Sequence, residues 1–198
     1  MTLQTVEFFS CVSMIYFIRH GLDDESYIGG WSNISLTDIG RKQIKDSANW
    51  IKENLNIKEI ISSDILRARE SALIIGNILN IDVTYLEPLR EQNKGIYNGL
   101  ERKKLKQVDK TFIKNVQVDT IFPEGESLKD LYRRISKLIC ELNVLEDDTL
   151  IVTHRGVINM IYYNSLDIPL DMDKERFLVT HGSVHEYDKS KKMIRRIY

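Results

Sequence analysis

The stretch Met14-Ile-Tyr-Phe-Ile-Arg-His-Gly21 decides how the rest of the chain is interpreted. Its first five residues form a nearly continuous run of apolar side chains, several of them β-branched or aromatic. Such a run is typical of a strand that is buried on both faces of a parallel sheet. The run ends abruptly at Arg19 and His20. The pattern therefore predicts a buried strand that presents a guanidinium group and an imidazole at its carboxyl end.

Helical patterns follow short strand-like runs further along the chain. Thr37 can cap a helix whose apolar residues recur at spacings of four, three and four from Ile44 to Leu55. Ser63 or Asp64 can cap a second helix. The sequence predicts the following further elements: strands at Lys58–Ser62, Ile81–Tyr85 and Thr149–Thr153, an irregular segment at Glu87–Gly99, a helix after Ser127, and a tail of edge strands with a hairpin at Phe177–Thr180, Ser183–Tyr187 and Met193–Ile197.

This alternation predicts an α/β fold, a three-layer sandwich in which a mostly parallel central sheet has helices on both faces. The 198 residues are about one domain long, and we expect a single domain over residues 1–198. The segment Met1–Ser13 differs in pattern from the rest of the chain, and Met14 is itself a potential start codon. We therefore expect residues 1–13 to be an N-terminal appendage.

The composition of the chain argues against some classes of binding partner. The 28 basic and 29 acidic side chains nearly cancel, so no overall field favours nucleic acid or an anionic membrane surface. The basic stretch Arg102–Lys106 lacks interleaved aromatic residues and is interpreted as a solvated helix face. The apolar run Phe8–Ile18 is too short to cross a bilayer. The two cysteines, Cys11 and Cys140, cannot build a disulfide framework, and we expect a cytoplasmic protein.

Polar residues follow three of the predicted strands. Arg19 and His20 come after the first, Arg67 lies in the first helical turn after the second, and His154 directly follows the strand Thr149–Thr153. Ligands of α/β sheets bind outside the carboxyl ends of the strands, so these four side chains should converge on one edge. Guanidinium groups match phosphoryl oxygens, and neutral imidazole is a competent nucleophile towards phosphorus.

Several motifs in a fixed order resemble the histidine phosphatase superfamily, which includes the cofactor-dependent phosphoglycerate mutases. The resemblance covers almost everything from Met14 onward. It rests on these segments: Arg19-His20-Gly21, Leu36-Thr37-Asp38-Ile39-Gly40, Ser63-Asp64-Ile65-Leu66-Arg67-Ala68, Leu89-Arg90-Glu91 followed by Gly95 and Gly99, Gly125-Glu126-Ser127, and Val152-Thr153-His154.

The resemblance implies a mechanism. His20 would attack phosphorus in line and become a phosphohistidine, while Arg19, Arg67 and His154 hold the phosphoryl oxygens. Glu91 would give a proton to the leaving alcohol and then accept one from the attacking water. These groups take the place that Mg²⁺ has in other phosphoryl transfers, so no metal ion and no cofactor is expected.

The sequence also departs from the family pattern. Relatives often have Thr or Ser three residues after the nucleophile and Asn six residues after it, where this chain has Asp23 and Ser26. Ser26 or Asn33 could supply the missing donor to the substrate. Arg155 follows the second histidine, where a small residue is usual, and it could reach a second negative group or point into solvent. The remaining histidines, His181 and His185, are interpreted as structural or exposed, although a C-terminal loop could border the pocket.

The leading expectation is a phosphomonoesterase that acts on a small soluble metabolite. A mutase is one alternative, but the segment after the glutamate loop is short, which favours hydrolysis. The other alternative is a binding or regulatory module that has kept the pocket and lost turnover, as the departures at Asp23 and Ser26 would allow. The sequence leaves the alcohol half of the substrate and the oligomeric state open.

Overall fold

A computed structural model describes residues 13–108, 110–142 and 144–198. Within these ranges the chain forms one sheet of six strands with helices around it. The strands are β1 (Met14–Arg19), β2 (Glu59–Ser62), β3 (Val83–Tyr85), β4 (Thr149–Thr153), β5 (Val184–Asp188) and β6 (Met193–Arg196). The helices are α1 (Asp38–Asn54), α2 (Leu66–Leu79), α3 (Arg102–Val108), α4 (Lys110–Lys114), α5 (Leu128–Leu142) and α6 (Arg155–Leu166), with short 3-10 turns at Glu87–Leu89 and Gly95–Tyr97.

The strands lie in the order β3-β2-β4-β1-β5-β6. The first four of these run parallel to one another, β5 is antiparallel to β1, and β6 is antiparallel to β5. The predicted α/β class with a mostly parallel sheet is therefore confirmed. Because parallel neighbours need a crossover connection, the carboxyl ends of β1, β2 and β4 meet at one edge.

Alternation along β1 explains the three layers. Ile15 and Phe17 belong to the apolar cluster that includes side chains of α5 and α6. Tyr16 and Ile18 belong to the cluster formed with α1 and α2. Successive side chains of a strand point to opposite faces, so a continuously apolar strand binds helices on both sides. A fully buried isoleucine or phenylalanine side chain contributes roughly 1.5–3 kcal/mol to this packing.

The two predicted helix caps differ in outcome. Thr37 caps α1 as predicted, since its Oγ1 accepts a hydrogen bond from Gly40 N at 3.0 Å. The prediction that Ser63 or Asp64 caps the second helix is wrong, because Ile65 is the N-cap and makes no side-chain cap hydrogen bond. The Asp64 carboxylate instead accepts hydrogen bonds from Arg90 Nε and Nη2, at 2.7 and 2.5 Å.

The C-terminal part of the chain differs from the prediction in three further ways. Phe177–Thr180 is not a strand, because Leu178 has a left-handed backbone with φ 50°, which interrupts any extended run. The other two tail strands form a hairpin as predicted, but only β6 is an edge strand, because β5 lies inside the sheet beside β1. The helix α6 was not predicted from the sequence at all.

The N-terminal appendage falls on residues of which all but Ser13 lie outside the described ranges. The single domain over residues 1–198 likewise stays a prediction. In the described part of the chain, no helix is both long enough and apolar enough to span a bilayer.

Candidate active site

The two histidines of the predicted pocket are neighbours because of strand register. Arg19 pairs with Thr153 across the parallel strands β1 and β4, so the next residues, His20 and His154, leave the sheet side by side. Their ring centroids lie 5.1 Å apart. The helix α2, which follows β2 on the other side of β4, brings Arg67 to the same edge. The structure thus brings together the four residues that the sequence places at strand ends.

His20 is a neutral imidazole, and its hydrogen bonds show which ring nitrogen carries the lone pair. Its Nδ1 lies 2.7 Å from the carbonyl oxygen of Gly21, which can only accept, so Nδ1 carries the proton. Arg67 Nε donates to His20 Nε2 at 3.1 Å. Burial lowers the pKa of His20 well below its usual value, and the charge of Arg67 lowers it further. The Nε2 atom therefore bears the lone pair.

Arg67 is fixed from all sides in spite of its charge. Its side chain is only 2% exposed. Nη2 donates to the carbonyl oxygen of Gly30 at 2.8 Å, and Nη1 donates to Ser32 Oγ at 3.4 Å. A guanidinium group whose three nitrogens all have partners presents one geometry, which is the condition for preorganised binding of an anion.

Arg19 is anchored by the loop that precedes β5. Nη1 donates to the carbonyl oxygen of Val179 at 2.8 Å, and Nη2 lies 2.6 Å from His181 Nε2. Burial lowers the pKa of Arg19 to about 10, so the group stays charged at neutral pH. Its Nε is buried and has no partner among the described residues.

His181 therefore belongs to the site, contrary to its interpretation as a structural or exposed residue. Burial, followed by the charge of Arg19, lowers its pKa to about 3, so its Nε2 accepts the hydrogen bond from Arg19. Its ring centroid lies 5.6 Å from that of His20. The one feature of the sequence that could have indicated this role is the position of His181 just before the strand that pairs with β1.

His154 is buried behind His20, with one nitrogen bound and one free. Its Nε2 lies 2.8 Å from Ser63 Oγ, and Ser63 Oγ accepts from Ile65 N at 3.3 Å. The Ser63 hydroxyl can donate to His154 Nε2 while it accepts from Ile65 N, and in that tautomer the ring proton is on Nδ1. Nδ1 is buried and has no partner among the described residues. Ser63, which the sequence suggested as a helix cap, thus orients the second histidine.

Glu91 lies at the wall of the same cavity. Its Oε2 accepts from Gly156 N at 3.1 Å, and its Oε1 accepts from Gln92 N at 2.9 Å. Trp31 Nε1 donates to the backbone carbonyl of Glu91 at 2.7 Å, which fixes the main chain at this point. Because Gly156 is in the first turn of α6, the carboxylate lies at the positive end of that helix.

Asp23 also lines the cavity, as the sequence suggested. Its Oδ2 is 3.5 Å from Arg67 Nε and its Oδ1 is 4.0 Å from His181 Nε2. Burial raises the pKa of this carboxyl, and Arg67 opposes the rise. Ligand atoms of His20, Asp23 and His181 all lie within 4.8 Å of one another, a spacing that could suit a metal ion. Both imidazoles, however, accept hydrogen bonds from charged arginines, and this positive surrounding favours an anion.

The cavity has a volume of about 360 Å³, and Arg19, His20, Asp23, Arg67 and Glu91 are among the residues that line it. Of the three residues suggested to bind substrate, Arg155 lines the cavity and is paired with Glu175. Ser26 and Asn33 are exposed and are not among the lining residues. The hydroxyl near Arg67 belongs to Ser32, one residue before Asn33; Ser32 is buried and accepts a hydrogen bond from Arg67 Nη1.

The protein is thus an α/β protein with a preorganised anion-binding site. In that site a neutral imidazole lies among guanidinium groups at the carboxyl ends of parallel strands. The sequence matches the family model of the histidine phosphatase superfamily (branch 1) over residues 15–198, and the chain belongs to this family. The resemblance inferred from the motifs is thereby confirmed.

Individual relatives agree with this assignment. The chain is 31% identical to a "Probable phosphoglycerate mutase GpmB" of Escherichia coli over 163 residues, which cover 78% of this chain and 75% of that protein. A putative alpha-ribazole-5'-P phosphatase from Escherichia coli has the same fold, with a TM-score of 0.82, 20% identity, and 94% and 95% of the two chains covered. A mycobacterial glucosyl-3-phosphoglycerate phosphatase matches with a TM-score of 0.70, 21% identity, and 94% and 96% covered.

Proposed function

We propose that the chain is a metal-independent phosphomonoesterase that acts on a small phosphorylated metabolite through a phosphohistidine on His20. The observation that carries the proposal is the hydrogen bond of 3.1 Å from Arg67 Nε to His20 Nε2. This hydrogen bond places the lone pair of His20 Nε2 next to the Arg67 guanidinium, a group that binds phosphoryl oxygens. A nucleophile and a charge-stabilising donor are thus held at one point before substrate arrives.

The first chemical step forms a bond between His20 Nε2 and phosphorus and breaks the bond between phosphorus and the ester oxygen. The electron pair of the broken bond goes to that oxygen, which takes a proton from Glu91, whose carboxyl group enters this step in its protonated form. Once the lone pair of His20 Nε2 is bonded to phosphorus, the N–H of Arg67 Nε donates to a phosphoryl oxygen instead, and the unpartnered Arg19 Nε and His154 Nδ1 are two further donors for such oxygens. Removing a donor of this kind from a preorganised site typically costs about 10²–10³ in rate.

The second step returns the enzyme to its starting state. Water attacks phosphorus, the bond to His20 Nε2 breaks, and the electron pair returns to that nitrogen. Glu91, now a carboxylate, accepts the proton of the attacking water. The sum of the two steps converts an ester and water into an alcohol and inorganic phosphate.

The decisive experiment incubates EDTA-treated protein with sugar phosphates, phosphoglycerates and nucleotide monophosphates and measures release of inorganic phosphate. We expect turnover without added metal and, in quenched reactions, an acid-labile and base-stable phosphoryl adduct. The adduct should be absent from His20→Ala. It should persist in His185→Gln, which alters another buried histidine that lines no part of the cavity. Loss of turnover after EDTA treatment, restored by a divalent ion, would contradict the proposal.

A mutase is the second candidate, because the relative named above is called a probable phosphoglycerate mutase. A mutase must keep its phosphorylated product in place and exclude water from the phosphohistidine. The cavity of about 360 Å³ leaves room for many water molecules beside a glycerate, and this supports hydrolysis. Isomerisation of a phosphoglycerate without release of phosphate would favour the mutase.

The proposal places the enzyme in the cytoplasm, in keeping with its cysteine content.

A further inference from the structure

The residues that line the cavity include a second group besides those around His20. Three cationic side chains belong to this group: Lys94 in the loop before α3, Arg102 at the start of α3, and Lys174 in the segment after α6. We call Lys94, Arg102 and Lys174 the distal cationic wall. The proposed reaction at His20 uses none of them.

The distal cationic wall lacks carboxylate partners within the described part of the chain. Lys94 Nζ donates to the amide oxygen of Gln92 and lies 4.2 Å from the centroid of the Phe122 ring. Arg102 Nε donates to the backbone carbonyl of Glu25 at 2.8 Å. No ion pair is formed by any of the three cations with a described residue, whereas the neighbouring Arg155 is paired with Glu175.

The carboxylates that line this part of the cavity are largely engaged elsewhere. Asp171 forms an ion pair with Arg176 and accepts from the Tyr163 hydroxyl at 2.7 Å. Asp173 accepts from the backbone nitrogen of Glu175 at 3.0 Å. Glu25 is exposed. Among the described residues, the wall therefore carries positive charge that no ion pair neutralises, while Glu91 and Glu126 act on Lys94 without pairing with it.

The cations also act on one another. Burial lowers the pKa of Lys94 to about 7, and the charge of Lys174 contributes to this shift. Partial burial also lowers the pKa of Lys174, as do the charges of Arg155 and Arg102. Crowded positive charges that have lost part of their hydration gain when a negative group binds among them.

Apolar side chains line the same cavity: Leu105, Val116, Phe122, Leu128, Met160 and Met172. Aromatic contacts hold part of this lining in place, since the Phe122 ring lies 5.5 Å from that of Phe112, which stacks at 5.7 Å on Tyr97. An apolar lining of this extent has no counterpart on a glycerate, which is short and polar. It matches a larger alcohol with an aliphatic or aromatic body.

We propose that the physiological substrate is a phosphomonoester with a second anionic group, a carboxylate or a second phosphate, joined to the reacting phosphoryl group by an apolar body. The second anion binds to the distal cationic wall and the body packs against the apolar lining. This inference rests on the proposed function, because the reaction at His20 fixes the position of the first phosphoryl group.

The test uses aryl phosphates that differ only at the far end of a propyl chain placed para to the ester. The chain ends in a carboxylate, a phosphonate, a carboxamide or an ammonium group, and the phenol leaving group stays nearly constant. We expect kcat/KM for at least one of the two anionic esters to exceed that of the amide about tenfold, and the ammonium ester to fall about tenfold below it. The ratio between carboxylate and phosphonate shows which anion the wall prefers.

Charge reversal at the mouth of the cavity makes the test specific. Lys174 is exposed, and its amino group has no hydrogen-bond partner among the described residues, so Lys174→Glu should fold normally. The variant should reduce the preference for the anionic esters over the ammonium ester about tenfold, because a negative charge replaces one of the three positive charges while Lys94 and Arg102 are unchanged. Lys45→Gln, on the exposed face of α1, is the control and should leave all four values unchanged.

Binding to His20→Ala separates this inference from the proposed function. Calorimetry should show tighter binding of an anionic ester than of the amide, whether or not the wild type turns them over. Equal kcat/KM and equal affinity for all four esters would overturn the distal site while leaving a phosphatase. Preferential binding without any release of phosphate would uphold the distal site and overturn the proposed function.

Discussion

The backbone nitrogen of Gly156 donates to the carboxylate of Glu91 at 3.1 Å, and a Cβ at position 156 would lie only 2.0 Å from Glu91 Oε1. Only glycine allows this approach. Since residue 156 follows the second histidine by two positions, the start of α6 ties Glu91 and His154 into one rigid arrangement. The carboxylate proposed to move the proton and the imidazole proposed to hold the phosphoryl group therefore keep a fixed separation.

Gly156→Ala should displace the Glu91 carboxylate. The atom that the new methyl group meets is the end of a flexible side chain, so the protein should fold with little loss of stability. We expect kcat/KM for alkyl phosphates to fall about 10- to 100-fold, part of the 10²–10⁴ that a general acid contributes. The same substitution in a Glu91→Gln background should cost little more, because it acts through Glu91. Additive losses would show that Gly156 has another role.

Glu91→Gln should slow the proposed reaction in a way that depends on the leaving group. An alkoxide needs a proton as it leaves, whereas nitrophenolate does not. We expect about 10²–10³-fold loss of kcat/KM for an alkyl phosphate and less than about tenfold loss for nitrophenyl phosphate. Steady-state kinetics on the two esters measures the difference. Equal losses would remove Glu91 from the role of proton donor.

Asp23 should make the affinity for phosphate depend on pH. Burial raises the pKa of its carboxyl above the usual value, so the group is neutral at low pH and becomes a carboxylate as the pH rises through that pKa. The new negative charge then repels a phosphate ion bound by Arg67. Competitive inhibition by inorganic phosphate should therefore weaken with rising pH more in the wild type than in Asp23→Asn.

The size of that effect follows from Coulomb energy. Two charges about 5 Å apart at an effective dielectric constant of about 20 interact by roughly 3 kcal/mol, so Asp23→Asn should bind phosphate at least about tenfold more tightly at pH 8. Asp24→Asn is the matched control, because the neighbouring carboxylate is exposed and does not line the cavity. A wild-type and an Asp23→Asn profile that run parallel from pH 3.8 to 8 would refute the effect.

His185 should make the fold sensitive to acid. The residue is fully buried, and burial, with a contribution from Arg196, lowers its pKa to about 3. An unfolded histidine has a pKa of about 6.5, so below that pH the unfolded chain binds a proton that the folded chain does not. The free energy of unfolding is therefore unaffected above about pH 6.5 and falls by up to about 1.4 kcal/mol per pH unit between pH 6.5 and 3.

Urea unfolding of the wild type and of His185→Gln checks this slope. The variant should be less stable at pH 7.5 by about 1–3 kcal/mol, since the buried Tyr162 hydroxyl and Ser183 lose or weaken their bonds to the ring. It should then lose stability less steeply between pH 6 and 4, by about 1 kcal/mol per pH unit. Identical slopes would show that another group takes up the proton.

The sequence predicts the strand ends well because both signals there are local. An apolar run of five or six residues has only one stable place in an α/β sheet, and a polar residue directly after it can lie only at the sheet edge. Parallel register then sets His20 beside His154 without further information. The position of Arg67 follows in the same way from its place in the first turn of α2.

Other features depend on contacts that local patterns do not encode. The helix α6 escapes prediction because residues 157–163 are buried all around, which removes the amphipathic period that marks a surface helix. His181 reaches Arg19 through a left-handed turn at Leu178, and Ser63 faces His154 instead of capping α2. The cations Lys94 and Lys174 are 80 positions apart in the sequence numbering and line one cavity only after the fold is complete.

The order of the strands scatters the chemical groups around His20 across the chain. Along the sequence, Arg67 precedes Glu91, and His154 follows α5. Val179, whose carbonyl oxygen anchors Arg19, comes last. No short contiguous fragment contains the whole arrangement. Recovery of turnover by a denatured sample would therefore report that β1, β2 and β4 have paired and that the loop before β5 has reached Arg19.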